Sequence, residues 1–147
     1  MMHRSPPRLA ITLVLALAAC NATADARQAG QARYHGRSLE EWWQLRRDPD
    51  DAVSIEARAA MSKMGATAVP FLAEKAASHD LGDMIGGSGA LESMCPSAIP
   101  AMEAARSRYP SPALDAAIRR IQRDTADAFR AHFCTAGGDS ARVRGQQ

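Results

Sequence analysis

The feature that most constrains this chain is a pattern that occurs twice, 30 residues apart. The first copy runs from Ala60-Met61 through Met64 to Thr67-Ala68-Val69-Pro70, and the second from Ala90-Leu91 through Met94 to Ser97-Ala98-Ile99-Pro100. The apolar residues recur at helical spacing, and proline in a first helical turn costs no backbone hydrogen bond. Each copy therefore predicts a helix, a turn and a second helix, and two copies predict stacked helical hairpins.

Residues at the ends of these segments predict where the helices start and stop. Asp48-Pro49-Asp50 interrupts one helix and begins the next, and Gly65 ends that helix in a backbone conformation that glycine adopts cheaply. We expect Thr67 and Ser97 to cap the helices that follow them. The glycine-rich segment from Gly82 to Gly89 predicts a weak helix start that packs closely against a neighbour.

Two tryptophans lie near the start of the predicted domain, just after a capping box formed by Ser38 and Glu41. We expect one of Trp42 and Trp43 to cover the open end of the hydrophobic stack and the other to lie half exposed beside it. The alternative is that the pair stacks on a ligand.

The last helical pattern follows Ser111-Pro112 and has its apolar residues on one face as far as Phe133. It has no second helix behind it, which is typical of an element that covers the end of a helical repeat. We therefore predict an all-α fold over residues 34–135. It is a short α-solenoid of about five to six helices with a C-terminal capping helix, followed by a disordered tail over residues 136–147.

The first 19 residues resemble the signal peptide of bacterial lipoproteins. Arg4 and Arg8 precede an apolar run of eleven residues, too short to span a bilayer, which ends in Leu17-Ala18-Ala19-Cys20. The resemblance implies that Cys20 carries a lipid. The segment that follows is rich in Ala and Gln and has no apolar period, which predicts a flexible tether over residues 20–33. Because Asn21 replaces the aspartate that retains such proteins at the inner membrane, we expect an outer-membrane anchor facing the periplasm. The alternative is a soluble secreted protein cleaved at Ala24.

Loss of the signal peptide changes the charge balance. Removing its two arginines from the 18 basic residues leaves 16, against 16 acidic residues, so the mature chain is neutral. Nucleic-acid binding depends on a net positive surface, and this composition gives it no support. Contact with the membrane is expected only through the lipid.

The two remaining cysteines, Cys95 and Cys134, form an even pair in a compartment that is predicted to be oxidising. We predict a disulfide between them. The competing interpretation is a metal or thiol-redox site, for which the sequence has no CxxC motif and no cluster of histidine and cysteine.

The repeat resembles the short bacterial HEAT repeats that also occur in phycobilisome-lyase-like proteins. The residues that match are Tyr34, Gly36, Ser38, Leu39, Trp42, Asp48, Pro49, Asp50, Val53, Ala57, Ala60, Met61, Met64, Gly65, Ala68, Val69, Pro70 and Leu72. Two residues depart from the pattern. Ser54 stands where that family often has an arginine, and Arg106 in the second unit stands where the first unit has Ala76. The resemblance implies a protein-binding stack of hairpins, and no site motif for chromophore-lyase activity accompanies it.

These features favour a non-catalytic interaction module or scaffold with an unknown protein partner and no metal or cofactor. The candidate binding face is formed by the second helix of each unit, with Glu74, Lys75, Glu103 and Arg108, although the same residues could be plain solvated surface. An enzyme, such as a hydrolase, is the first alternative, but His35, His79 and His132 lie in separate elements and in no recognised motif. A small-molecule carrier using the tryptophans and methionines is the second alternative.

Overall fold

A computed structural model describes residues 24–124 and Cys134. The predicted signal peptide, the lipid site at Cys20, the end of the capping helix with His132, and the tail over residues 136–147 lie outside the described residues.

The described chain is predominantly helical, which confirms the all-α class. Residues 24–30 form helix α1. A short β hairpin follows, with strands of two residues each, in which β1 (Arg33–Tyr34) pairs antiparallel with β2 (Arg37–Ser38). The remaining elements are α2 (Leu39–Leu45), α3 (Asp51–Met64), a 3-10 turn (Gly65–Ala68), α4 (Val69–Ala76), α5 (Leu81–Glu92), a second 3-10 turn (Pro96–Ala98), α6 (Ile99–Ala105) and α7 (Pro112–Asp124).

Side-chain caps define the starts of α2, α3 and α5, and the caps of α2 and α3 are the ones that the sequence predicts. The capping box of α2 is formed, with the Glu41 amide donating to the Ser38 hydroxyl and the Glu41 carboxylate accepting from the Ser38 amide. Asp50 caps α3 and Asp80 caps α5 in the same way, through a carboxylate that accepts a backbone N–H. Gly65 ends α3 with a φ of 58°.

The prediction that Thr67 and Ser97 cap α4 and α6 is wrong. In both units a 3-10 turn continues directly into the helix, and its own carbonyls accept the first amides: Val69 donates to Ala66, and Ile99 donates to Pro96. Because the backbone satisfies these groups, no side-chain cap is needed. Pro70 and Pro100 lie in the first turns of α4 and α6, as predicted.

Helices at equivalent positions in the repeat lie next to each other. Helix α5 packs between α3 and α7, α4 packs beside α6, and the most extensive helix contact is between α4 and α5. The large side chains of the shared core are fully buried and include Leu72, Leu91, Met94, Met102, Leu114 and Ile121. This arrangement is consistent with a short helical repeat, while a solenoid stays a prediction.

Residues 24–33 are not the flexible tether that the sequence predicted. Helix α1 buries Ala26 and Ala29 against the domain, and Asp25 forms an ion pair with Arg108. Gly30 lies against Phe71, where a Cβ would come within 3.2 Å of the ring. Two alanines spaced three residues apart lie on the same side of a helix and are enough to pack it closely against a core. The absence of large apolar residues therefore did not indicate a flexible segment.

Both tryptophans are buried, so the prediction that one is half exposed is wrong. Each has only 1% of its surface accessible. Trp42 donates from Nε1 to the Tyr34 carbonyl at 3.0 Å and lies under Arg37, while Trp43 contacts Phe71 edge to face. Two cationic side chains and the β hairpin supply the cover that the sequence pattern did not reveal.

The structure brings Cys95 and Cys134 together, with Cα atoms 5.7 Å apart and sulfurs at disulfide distance. Cys95 lies at the start of the second 3-10 turn, and Cys134 follows α7 in the chain. A bond between them fastens the C-terminal part of the chain to the second repeat unit.

Candidate functional site

The four residues of the predicted binding face do not form a surface of free charges. Lys75 is bound to Asp83 on α5 at 3.0 Å, and Arg108 is paired with Asp25 of α1. Glu74 is half-buried, and Glu103 is exposed on α6. Two of the four residues therefore hold neighbouring helices in place, and the predicted face has no evident site.

The most connected charged residue is Asp83, in the first turn of α5. Its carboxylate lies 3.2 Å from Arg46, 3.0 Å from Lys75 and 3.9 Å from Arg47. Burial raises the pKa of Asp83, but the hydrogen bond from Lys75 and the charges of Lys75, Arg46 and Arg47 outweigh it and hold the pKa below its ordinary value. One carboxylate thus faces three cations, which leaves this end of α5 positively charged.

Arg46 is the buried member of this group, with 8% of its side chain exposed. Its guanidinium lies over the Trp43 ring, 3.4 Å from the ring centroid, and Nη1 donates to the Trp43 carbonyl at 2.6 Å. Burial is the main reason that the pKa of Arg46 is lowered, and the neighbouring charge of Arg47 adds to it. Stacking and pairing together hold a cation where an isolated one would be costly.

A groove of about 530 Å³ runs between α3 and α5 and begins beside this cluster. Its floor is formed by the glycines at 82, 86 and 89 and by Ala90, and Met61 and Ile85 add apolar walls. Gly86 lets the side chains of Arg46 and Trp43 pack directly on α5, since a Cβ there would lie 2.8 Å from Arg46 and 3.0 Å from Trp43. At Gly89 a Cβ would meet nothing within 4 Å, so the far end of the groove is open.

The rim of the groove is basic. Arg46, Arg47 and Arg58 line it, and Ser93 is its other polar side chain. No aspartate or glutamate is among the lining residues. Arg47 is more than half exposed, and Arg58 is exposed on α3 with no ion pair to any residue between 24 and 124. The groove therefore combines an apolar floor with a positive rim.

Large apolar side chains continue from this groove onto the solvent-facing side of α5. Leu81 is 64% exposed, Ile85 62% and Met84 38%, and Ile55 on α3 is 63% exposed. The opposite side of α5 is buried through Gly87 and Leu91. This side of α5 is therefore apolar and solvent-facing, although α3, α4 and α7 pack against the rest of the helix.

The groove was missed at the sequence level, although a signal for it was present. The segment Leu81 to Glu92 contains only one charged residue, Asp83, before its last position. We interpreted its glycines as close packing against a neighbour. This is correct for Gly87 against α4 and for Gly82 and Gly86 against arginine side chains, but it leaves Gly89 and the exposed apolar residues unexplained.

The histidines show no catalytic arrangement in the described part of the chain. His35 lies in the hairpin turn and His79 in the loop before α5, and both are exposed. Between residues 24 and 124, no three His, Cys, Asp or Glu side chains are grouped so that they could hold a metal ion. Within the same range, none of the helices has the length and apolarity that a membrane span requires.

Comparisons of the chain with protein-family models, with curated proteins and with solved structures found no match.

Proposed function

We propose that this chain is a non-catalytic binding protein of the bacterial cell envelope that captures a protein partner in the groove between α3 and α5. The observation that carries the proposal is the exposed apolar side of α5, where Leu81, Met84 and Ile85 are exposed and Ile85 also lines a concave groove. Apolar patches of this kind, rimmed by polar residues, are typical of interaction sites on soluble domains. The proposal moves the binding site from the second helices of the units to the first.

Three further features support a binding role in the envelope. The stacked hairpins and the HEAT-like pattern favour an interaction module, a class of fold that presents extended surfaces to partners. The segment up to Cys20 favours export and a lipid anchor, with the domain facing the periplasm from the outer membrane. The proximity of Cys95 to Cys134 favours an oxidising compartment.

Site-specific photo-crosslinking in cells tests the binding function. A photoreactive amino acid at Ile85, which is 62% exposed on α5, should give a discrete, reproducible crosslinked product. The matched control carries the same group at Ala104, an exposed position on α6 that is remote from the groove. Equal products at both positions, or none at Ile85, would contradict the proposal.

The proposed lipid anchor and outer-membrane localisation are tested separately by labelling with a palmitate analogue. The natural chain should incorporate the label and fractionate with the outer membrane, whereas Cys20→Ser should lose the label. Equal labelling of both chains would overturn the lipid anchor without affecting the groove.

A further inference from the structure

We propose that the occupant of the groove is an acidic amphipathic helix of the partner protein. It would place its apolar side on α5 and its carboxylates beside Arg47 and Arg58. The inference rests on the proposed function, because it concerns the same groove, and it adds the chemical class and the shape of the segment that is bound.

The charge of the groove selects an anionic partner. Three cations, Arg46, Arg47 and Lys75, face Asp83, and the nearby Asp80 also acts on Arg46, so this cluster keeps a net charge of about +1 (three cations and two carboxylates). Arg58 adds a further positive charge from the opposite wall, and no acidic side chain lines the groove to offset it. Because the apolar floor limits access of water, carboxylates at this rim are attracted more strongly than at an open surface.

The spacing of the exposed apolar residues selects a helix. Leu81, Met84 and Ile85 are placed at i, i+3 and i+4 on α5, which gives a ridge against which a second helix packs with its own apolar residues at helical spacing. Beside this ridge, Gly89 leaves the α5 backbone open to a side chain of the incoming helix, whereas Arg47 and Arg46 already cover Gly82 and Gly86. On the other wall, α3 contributes the apolar side chain of Met61.

Two other occupants fit less well. A bilayer surface is flat on this scale and would touch Leu81 and Ile85, but it would leave the concave glycine floor empty. A second copy of the chain would bring its own Arg47 and Arg58 toward the same basic rim, and like charges across an interface are unfavourable.

An array of helical peptides tests this inference on the full chain carrying Cys20→Ser to avoid lipidation. Each peptide has leucine, isoleucine or methionine at i, i+3, i+4 and i+7, and flanking positions that are all Glu, all Gln or all Lys. Fluorescence anisotropy should show that Glu-flanked peptides bind at least about tenfold more tightly than Lys-flanked peptides with the same apolar residues. Enrichment of Gln or Lys flanks, or no binding by any peptide, would overturn the inference.

Two variants connect this binding to the groove. Gly89→Leu fills the open end of the groove without a clash, since nothing lies within 4 Å of its Cβ, and should lower peptide affinity at least about tenfold with no loss of thermal stability. Ala104→Leu on α6 is its control and should leave affinity unchanged. Arg58→Glu should weaken the preference for Glu-flanked over Lys-flanked peptides, whereas Arg119→Glu on the exposed side of α7 should leave it unchanged.

The outcomes separate this inference from the proposed function. Crosslinking from Ile85 together with a failure of all Glu-flanked peptides would leave the binding function standing and reject the acidic helix. Binding of phosphatidylglycerol vesicles that Gly89→Leu does not weaken would assign the exposed side of α5 to a membrane surface. Dimerisation in sedimentation velocity that Gly89→Leu abolishes would assign the groove to a second copy. Either result overturns the inference.

Discussion

At the scale of single residues, the interaction that matters most is the one between Asp83 and its cations. Arg46 is nearly inaccessible to solvent, yet it carries a charge because Trp43 covers one side of it and Asp83 pairs with it. Removal of one partner from a buried ion pair costs more than the pair contributes, because the other charge is left behind. This cluster joins α2, α4 and α5, so its loss affects three elements together.

We expect Asp83→Asn to lower the free energy of unfolding by roughly 1–3 kcal/mol, since three cations lose their shared carboxylate. Urea denaturation followed by circular dichroism measures the change. Glu56→Gln, on the exposed side of α3, is the matched control and should shift stability by less than about 0.5 kcal/mol. Equal effects of the two substitutions would contradict this role of Asp83.

The same pair predicts a pH dependence. The pKa of Asp83 in the folded chain lies below its ordinary value of 3.8, so its contribution is fully present above that value. As the pH falls through the lower, folded-state pKa, the carboxylate becomes protonated and the contribution is lost. The difference in stability between the natural chain and Asp83→Asn should therefore be constant from pH 7 to about pH 5 and shrink below about pH 4.

At the scale of secondary-structure elements, α5 is a helix whose glycines have opposite roles on its two sides. A Cβ at Gly87 would lie 2.5 Å from the Ala76 nitrogen and 2.9 Å from the Leu72 carbonyl, so this glycine sets the close contact of α5 with α4. Gly89 has no such neighbour and only weakens the helix.

These two positions give a paired prediction. Gly87→Ala should destabilise the fold by roughly 1–3 kcal/mol, because the methyl group meets backbone atoms that cannot move aside. Gly89→Ala should stabilise it by about 0.5–1 kcal/mol through helix propensity alone. Thermal unfolding of the two variants beside the natural chain is the measurement, and shifts of the same sign would show that the contact between α4 and α5 is not as close as described.

The sequence was most informative about the elements with strong local signals. Asp50, Gly65, Pro70 and the capping box of Ser38 act locally, through backbone groups within a few residues, and their roles were predicted correctly. The burial of α1 and of both tryptophans depends on residues far along the chain, such as Phe71 and Arg108, and no local pattern encodes it.

The groove is another feature that local sequence patterns do not encode. Helical periodicity indicates which residues of a helix are apolar, but it does not say whether a neighbour covers them. The predicted set of Glu74, Lys75, Glu103 and Arg108 was chosen because the second helices of such units tend to line the concave face of the stack, and these residues were expected on their solvent side. Lys75 instead reaches Asp83, because the missing side chain at Gly87 lets α5 approach α4 closely.

At the scale of the whole molecule, the C-terminal helix is attached by weak polar contacts and by the cysteine pair. Arg120 reaches Glu92 of α5, and Arg106 reaches Asp115 of α7, but these arginines are about half exposed and such pairs contribute little. The buried side of α7, with Leu114, Ile118 and Ile121, supplies the apolar contact. Cys134 follows Asp124 by ten residues in the chain, so a disulfide with Cys95 ties the chain after α7 to the second repeat unit.

The cysteine pair leads to the last prediction. A bond across a sequence separation of 39 residues should contribute about 4 kcal/mol by restricting the unfolded chain. Loss of that amount should lower the thermal midpoint by more than about 10 °C in a domain of this size. The measurement is thermal unfolding of the natural chain with and without a phosphine reductant. The double variant Cys95→Ser, Cys134→Ser serves as control, because it should unfold at the lower temperature in both conditions.

The location of the bond also predicts what reduction should leave intact. The groove is formed by α3 and α5 with Arg46 and Arg47, and neither cysteine is among its lining residues. Below the lowered midpoint, the reduced chain should therefore still bind a Glu-flanked peptide within about twofold of the oxidised affinity, because the floor and the basic rim are unchanged. A natural chain whose midpoint does not respond to reductant would contradict the disulfide. Loss of peptide binding at a temperature where the reduced chain is still folded would show that the groove depends on the position of α7.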